Sequence, residues 1–210
     1  MLSKYSLLII FRDGMLWPDG YGGRGVYPGY SPDMHHTTIS DPPIIHHDVS
    51  PKLWMTAAQG RAVKAFVESG HAALFFHNSS HISLSNDDFR DVEGAIYTGH
   101  PPTRPYKVHI VHSNHPITKG VHDFIVTDEQ HYVQYEKDPA HVLLKSENLN
   151  GLSYSGTIGN QGPSCEAGWA YDYGRGRVVF FAPGHTIPAL WNPEYMKLQQ
   201  NAVAWLLRKE

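Results

Sequence analysis

The chain is 210 residues long, enough for one domain with a sizeable core, and its 41% hydrophobic and 18% charged content is that of a globular protein. A formal net charge of −3 gives no reason to expect nucleic acid or an anionic membrane as partner, and no apolar run approaches the roughly 20 residues of a membrane helix. The single cysteine, Cys165, excludes an internal disulfide and a cysteine-rich zinc site, whereas 15 histidines are an ample supply of groups that carry protons or bind metals near neutral pH.

Tyr5 to Phe11 is a continuous apolar run and reads as a strand covered on both faces. No leader-like cleavage site follows it, so a cytoplasmic location is expected. Residues 12–52 form a long segment rich in Gly, Pro, His and Tyr, without periodicity. Its aromatics, Trp17, Tyr21, Tyr27 and Tyr30, point to a folded lid, since disordered segments are poor in such residues. The pairs His35-His36 and His46-His47 in this lid have no assigned role.

Thr56-Ala-Ala-Gln59 is a capping-box pattern, Ala62, Val63, Phe66 and Val67 make an apolar face, and Gly70 marks a helix end. Ala72 to Phe76 is a buried strand that runs into "HNSSH", and Ser85-Asn-Asp-Asp-Phe89 opens a short helix. Strands are predicted near 106–112, 123–127, 131–135 and 142–145, then a hairpin of 168–173 and 177–182 about a Gly-Arg-Gly turn. Asn192 caps the last helix, with Pro193 in its first turn and Tyr195, Leu198, Ala202, Trp205 and Leu206 as its apolar stripe. Strand–helix alternation followed by hairpins predicts a single α/β domain over 1–210, with helices on both sheet faces and a hairpin-rich insertion. Ligands of such sheets bind beyond the carboxyl ends of the strands.

Several candidates for chemistry lie at strand ends. His77 and His81, four apart, share a face if Asn78 to His81 begins a turn of helix, a spacing that suits a metal or an acid–base pair; otherwise His77 donates to a loop carbonyl and His81 is solvated. His100, between Gly99 and Pro101, is presented rigidly, as a functional imidazole or a turn residue. His112 and His115 read as structural, with Ile117 plugging the core. Beyond "FIV", alternation sends Glu129 and His131 to one face and Asp128 to the other, and a carboxylate beside an imidazole suits proton transfer or metal ligation. His185 follows a strand and a Pro-Gly turn, with Trp191 behind it. Cys165 reads as incidental in a polar loop, and neither Ser79 nor Ser80 sits in a G-x-S-x-G elbow. The glycine motifs lack a strand–loop–helix context, so no nucleotide cofactor is expected.

The ordered segments "ALFFHNSSH", "FRDVEGAIYTGHP", "HPITKGVHDFIVTDEQHY", "YDYGRGRVVFFAPGH" and "NPEYMKLQQNAVAWLL" resemble the trehalose-utilisation (ThuA-like) family, and with "YSLLIIFRDG" they cover nearly the whole chain. The resemblance implies a flavodoxin-like, class I glutamine-amidotransferase-like sheet. His77-Asn78-Ser79 stands where the amidotransferases carry a nucleophilic cysteine, so transfer of ammonia is not expected. It implies an enzyme of carbohydrate metabolism acting on a disaccharide oxidised at the 3-position, or a non-catalytic sugar-binding or regulatory module on the same fold. His77, Glu129, His185, Asp128 and His100 are the catalytic candidates. Asn78, His81, His131, Trp17, Tyr21 and Trp191 are the substrate-binding ones. A divalent metal, zinc first, would be held by His77, His81, Glu129 and His185. The full family fold begins one strand and one helix earlier, so the segment given is expected to leave a sheet edge that pairs with a second copy as a homodimer.

Overall fold

The computed structural model describes residues 2–16 and 52–209. The aromatic lid residues and the two histidine pairs named above lie outside the described residues. A 3₁₀ turn leads into β1 (Leu7–Ile10), and the short strands β2 (Met15–Leu16) and β3 (Lys52–Leu53) pair antiparallel. Helix α1 (Ala57–Glu68) starts at the expected capping box: Thr56 Oγ1 accepts from Gln59 N–H, and the Gln59 side chain accepts from Thr56 N–H at 2.8 Å. Val63, Phe66 and Val67 are buried, but Ala62 is exposed and Gly60 is buried in its stead. At Gly60 a Cβ would lie 2.0 Å from Asn86 Oδ1, an approach only glycine allows.

Strand β4 (Ala72–Phe76) is buried along its whole length and passes into a 3₁₀ helix over His77–Leu84. Asn86 then caps α2 (Asp87–Glu93), accepting from Phe89 N–H while donating to Thr56 O at 3.0 Å, so one side chain ties the two helices. Strand β5 (Ala95–Gly99) has no counterpart among the sequence expectations. It pairs with β8 (Tyr132–Tyr135) outside the main sheet. β6 (Arg104–Ile110), β7 (Phe124–Asp128) and β9 (Val142–Asn148) lie within two or three residues of their predicted positions. A small hairpin, β10 (Ser155–Gly156) with β11 (Gly159–Asn160), precedes the expected long hairpin of β12 (Ser164–Tyr173) and β13 (Gly176–Phe181). Short α3 (Ile187–Leu190) and α4 (Pro193–Leu206) close the chain, and the five residues of the predicted α4 stripe are all buried. No helix among the described residues is long and apolar enough to cross a membrane.

Seven strands form one mixed sheet in the order β1-β4-β13-β12-β9-β6-β7; the first three are parallel and each later pair is antiparallel. Neighbours Phe75 and Phe180 point to one face, where Phe75 meets Phe89 of α2 edge-on at 5.1 Å and Phe180 stacks on Trp169 at 4.3 Å. Phe76 and Phe181 point to the other, where Phe181 meets Tyr195 of α4 at 5.8 Å. Helices therefore cover both faces. β1 is not covered as its apolar run predicts: it is an edge strand among the described residues, with Ile9 52% and Phe11 49% exposed.

β7 is four strands away from β13, about 19 Å in a flat sheet. Yet Gly184 N–H, three residues past β13, donates to Asp128 Oδ2 of β7 at 2.6 Å. The sheet must curl to close that distance. Register shifts in the β9–β12 pairing at Glu166–Gly168–Trp169 are bulges that add bend, and Tyr195 fills the hollow between Phe181 and Phe124. Because β4, β13 and β7 run the same way, the curl gathers their carboxyl ends.

Candidate active site

Four strand ends supply the site: His77 follows β4, His100 follows β5, Glu129 and His131 flank the β7–β8 connection, and His185 follows β13. All four rings face one atom. Glu129 Oε2 lies 3.1 Å from His185 Nδ1, 3.4 Å from His77 Nε2, and 3.6 Å from the Nε2 atoms of His100 and His131. The rings also touch each other: His77 and His131 centroids are 3.9 Å apart, and His100 stacks on His131 at 5.1 Å.

The local backbone is built for this convergence. His77 has φ +47°, in the left-handed region that a non-glycine residue enters at a cost of about 1 kcal/mol or more. That conformation turns its ring off the end of β4, and Nδ1–H donates to Ala182 O at 2.8 Å. Since a carbonyl only accepts, Nδ1 carries a proton and Nε2 is the ring atom that faces Glu129. His100 is held likewise, its Nδ1–H donating to Pro101 O at 3.0 Å, and Gly99 before it has φ +127°.

Asp128 lies on the far side of its chain from Glu129. It is fully buried and accepts four backbone N–H groups: Glu129 (3.0 Å) and Thr186 (3.1 Å) on Oδ1, Gly184 (2.6 Å) and His185 (3.1 Å) on Oδ2. It clamps the His185 loop to the Glu129 loop and faces away from solvent.

Electrostatics divide the groups. Burial opposes the charge of Glu129, but the imidazoles of His131, His185 and His77 outweigh it and hold the carboxyl well below the usual carboxylate range. Burial, then the neighbouring His77 and His100, keep His131 well below an ordinary histidine, so it is neutral at pH 7. Glu129 raises His185, the most open of the set with its side chain 43% exposed. Burial lifts Asp128 in spite of its N–H donors.

The remaining candidates fall elsewhere. His81 does not share a face with His77, because the turn between them is 3₁₀ rather than α-helical and brings residue i+3, Ser80, over His77. His81 lies 3.7 Å from Asp13 and packs on Tyr97, and burial lowers it. Asn78 is half-buried beside His77. Trp191, 73% exposed, lies beside Met196 and Gln200 of α4. Cys165 sits in β12, not in a loop, and its buried thiol is pushed up to about 12. His115 accepts from Ile117 N–H, with Ile117 fully buried, as the structural reading expects. Tyr97 of β5, among His81, His100 and His131, was not singled out; its only signal is its place two residues before Gly99 on the same strand face.

Ser79 donates to Glu93 Oε1 at 2.9 Å and Ser80 to His77 O at 3.1 Å; both hydroxyls are buried and engaged. Burial pushes Glu93 up to about 8, against the Ser79 bond, and Glu93 Oε2 has no hydrogen-bond partner. A carboxyl raised by folding binds its proton more tightly in the folded state, so stability falls as pH rises from the unfolded value of about 4.3 to about 8. Glu93→Gln, neutral throughout, is expected to flatten the loss of melting temperature between pH 5 and 8. Parallel thermal melts of the two proteins check this, and equal slopes would refute it.

Comparison with known proteins adds the lineage. A family model described as trehalose utilisation matches residues 44–206. The chain belongs to the ThuA family. ThuA-like proteins are also among its structural neighbours: one from Bacteroides uniformis (TM-score 0.56, 19% identity, covering 72% of this chain) and one from Parabacteroides merdae (TM-score 0.61, 13% identity, 99% of this chain). The chain spans 64% of the length of the former and 72% of the latter. A third neighbour is the cytoplasmic protein STM3548 from Salmonella typhimurium (TM-score 0.53, 14% identity, 98% of this chain and 73% of that one). At these identities the likeness shows a shared ThuA fold. No curated protein matches the chain.

Proposed function

We propose that this ThuA-family chain is an enzyme of carbohydrate metabolism that acts on a disaccharide oxidised at its 3-position, by acid–base chemistry at the histidine–glutamate cluster. The reading takes the sheet as flavodoxin-like, with the site at its carboxyl edge. The observation that carries it is the convergence of four imidazoles on Glu129 Oε2. A ketone at C3 acidifies the C2–H bond. His100 Nε2, the ring nitrogen left free by the Nδ1–H bond to Pro101 O, removes that proton; the C2–H pair forms the C1=C2 double bond, and the C1–O bond breaks. The departing glycosidic oxygen takes a proton from water, and His100 then returns the C2 proton to the hydroxide so formed. A positive group beside Glu129 stabilises the enolate oxygen, and the ionised Glu129 offsets the charge gained by His100. No nucleophile is needed, which fits the engaged Ser79 and the protonated Cys165.

The test is incubation with paired native and 3-oxidised disaccharides, followed by NMR and mass analysis. Turnover of the oxidised member alone, with exchange of the C2 proton, is the expected result. Binding of both members without turnover would replace this reading with that of a sugar-binding module.

A further inference from the structure

The geometry points to a divalent transition-metal site, zinc-like in its donor set, formed by His77 Nε2, Glu129 Oε2 and His185 Nδ1, with a fourth position open to solvent and substrate. The first argument is the spacing. Charge-assisted N–H···O bonds to a carboxylate are about 2.7–2.9 Å long. None of the four nitrogens around Oε2 comes that close, and a single carboxylate oxygen lacks lone pairs for four such bonds. Donors about 2.0–2.1 Å from a tetrahedral zinc are about 3.3–3.4 Å from one another. The 3.4 Å from His77 equals such an edge, and the 3.1 Å from His185 falls slightly short of it.

The second argument is the tautomer. With Nδ1–H fixed on Ala182 O, His77 Nε2 faces Glu129 Oε2 at 3.4 Å, buried and with no hydrogen-bond partner. A buried, unpartnered ring nitrogen aimed at a carboxylate oxygen is an arrangement that a cation between them completes. The Nδ1–H···O=C bond is also the support that metal-bound histidines ordinarily have.

The third argument selects among the rings. His77, Glu129 and His185 bring their donor atoms within 4.8 Å of one another, and so do His100, Glu129 and His131. Imidazole lone pairs lie in the ring plane. The His100 and His131 rings are stacked and nearly parallel, at 7°, so their planes do not meet near the donor atoms. His77 and His185 are inclined by 56°, and their planes intersect. Two imidazoles, one carboxylate and an open position are the donor set of a catalytic rather than a structural zinc site. Such a metal would polarise the substrate ketone as a Lewis acid, leaving His100 free to move the proton.

This inference concerns the same cluster as the proposed reaction, but metal binding is read without turnover. Tagless protein is stripped with chelator and titrated with Zn²⁺ in competition with a chromophoric chelator. One equivalent is expected to bind, and His77→Ala and His185→Ala each to weaken it about 100-fold or more, with His100→Ala changing it less than about threefold. Because His77→Ala removes a buried ring, Co²⁺ is also added to the unaltered protein, where the intense visible absorption of a four-coordinate ion is expected. Less than a tenth of an equivalent of Zn²⁺, a pale six-coordinate Co²⁺ spectrum, or a larger loss in His100→Ala than in His185→Ala would overturn the assignment. Turnover that persists in fully stripped protein would refute the Lewis-acid role of the metal and leave the acid–base reaction standing.

Discussion

Glu129→Gln is expected to lower turnover of a 3-oxidised disaccharide by about 10²–10⁴-fold while the protein stays folded. The substitution keeps the size of the side chain and removes the one charge on which four imidazoles converge. The new amide N–H₂ can donate to the lone pairs of His77 and His100, but it cannot offset a proton gained by His100 or anchor a cation beside the enolate. The fold is not at risk from this change. The nearest partner of Glu129 is His185 Nδ1 at 3.1 Å, from which the glutamine oxygen can still accept, and the Glu129 side chain is 14% exposed. Steady-state kinetics with a thermal melt of the same preparation decides the matter. A variant that keeps more than a tenth of the activity at an unchanged melting temperature would remove Glu129 from the chemistry, and with it the central claim about the site.

The residues of the cluster were legible one by one because each follows a local break. His77 and His185 come directly after buried strands, His100 sits between Gly99 and Pro101, and Glu129 and His131 close the "FIV" strand. The meeting of His77 and His185 with an acidic side chain was expected, but the means by which they meet was not legible. It depends on the curl that brings β7 back to β13, and that curl arises from bulges in β9–β12 and from Tyr195 wedged between Phe124 and Phe181. His81 shows the limit of spacing arguments: i and i+4 meet on an α-helix and separate on the 3₁₀ turn that this chain adopts. The edge position of β1 among the described residues follows the expectation of an open sheet edge, whereas its apolar run alone looks the same whether or not a neighbour covers it. Gly60 in place of Ala62 reflects the partner rather than the helix, because Asn86 of the next element decides which residue of α1 can be approached. Asp128 was read as a catalytic carboxylate because its type and place match Glu129 beside it. Only the four N–H groups contributed by two loops show that its work is positional.

That role makes Asp128→Asn the sharper test of how the site is assembled. Asparagine offers one acceptor oxygen where the carboxylate offers two, and it turns an N–H₂ group toward backbone donors. Either Gly184 and His185, or Glu129 and Thr186, lose their acceptor in a fully buried place. At about 1–3 kcal/mol for each unsatisfied buried group, the loss of stability is expected to be about 2–5 kcal/mol. A destabilised protein is not yet evidence for positioning, so a control of similar cost is needed. Val126→Ala, in the same strand and buried, removes packing without touching the clamp. Both variants should melt earlier than the parent protein. At a temperature where each is fully folded, Val126→Ala is expected to retain turnover, whereas Asp128→Asn should lose at least about tenfold, because His185 is no longer held against Glu129 and a small misplacement at a catalytic group is sharply felt. Equal turnover in the two variants would reduce Asp128 to an ordinary buried support. A selective loss would show that the His185 loop and the Glu129 loop, 56 residues apart at Asp128 and Gly184, function as one unit through this carboxylate.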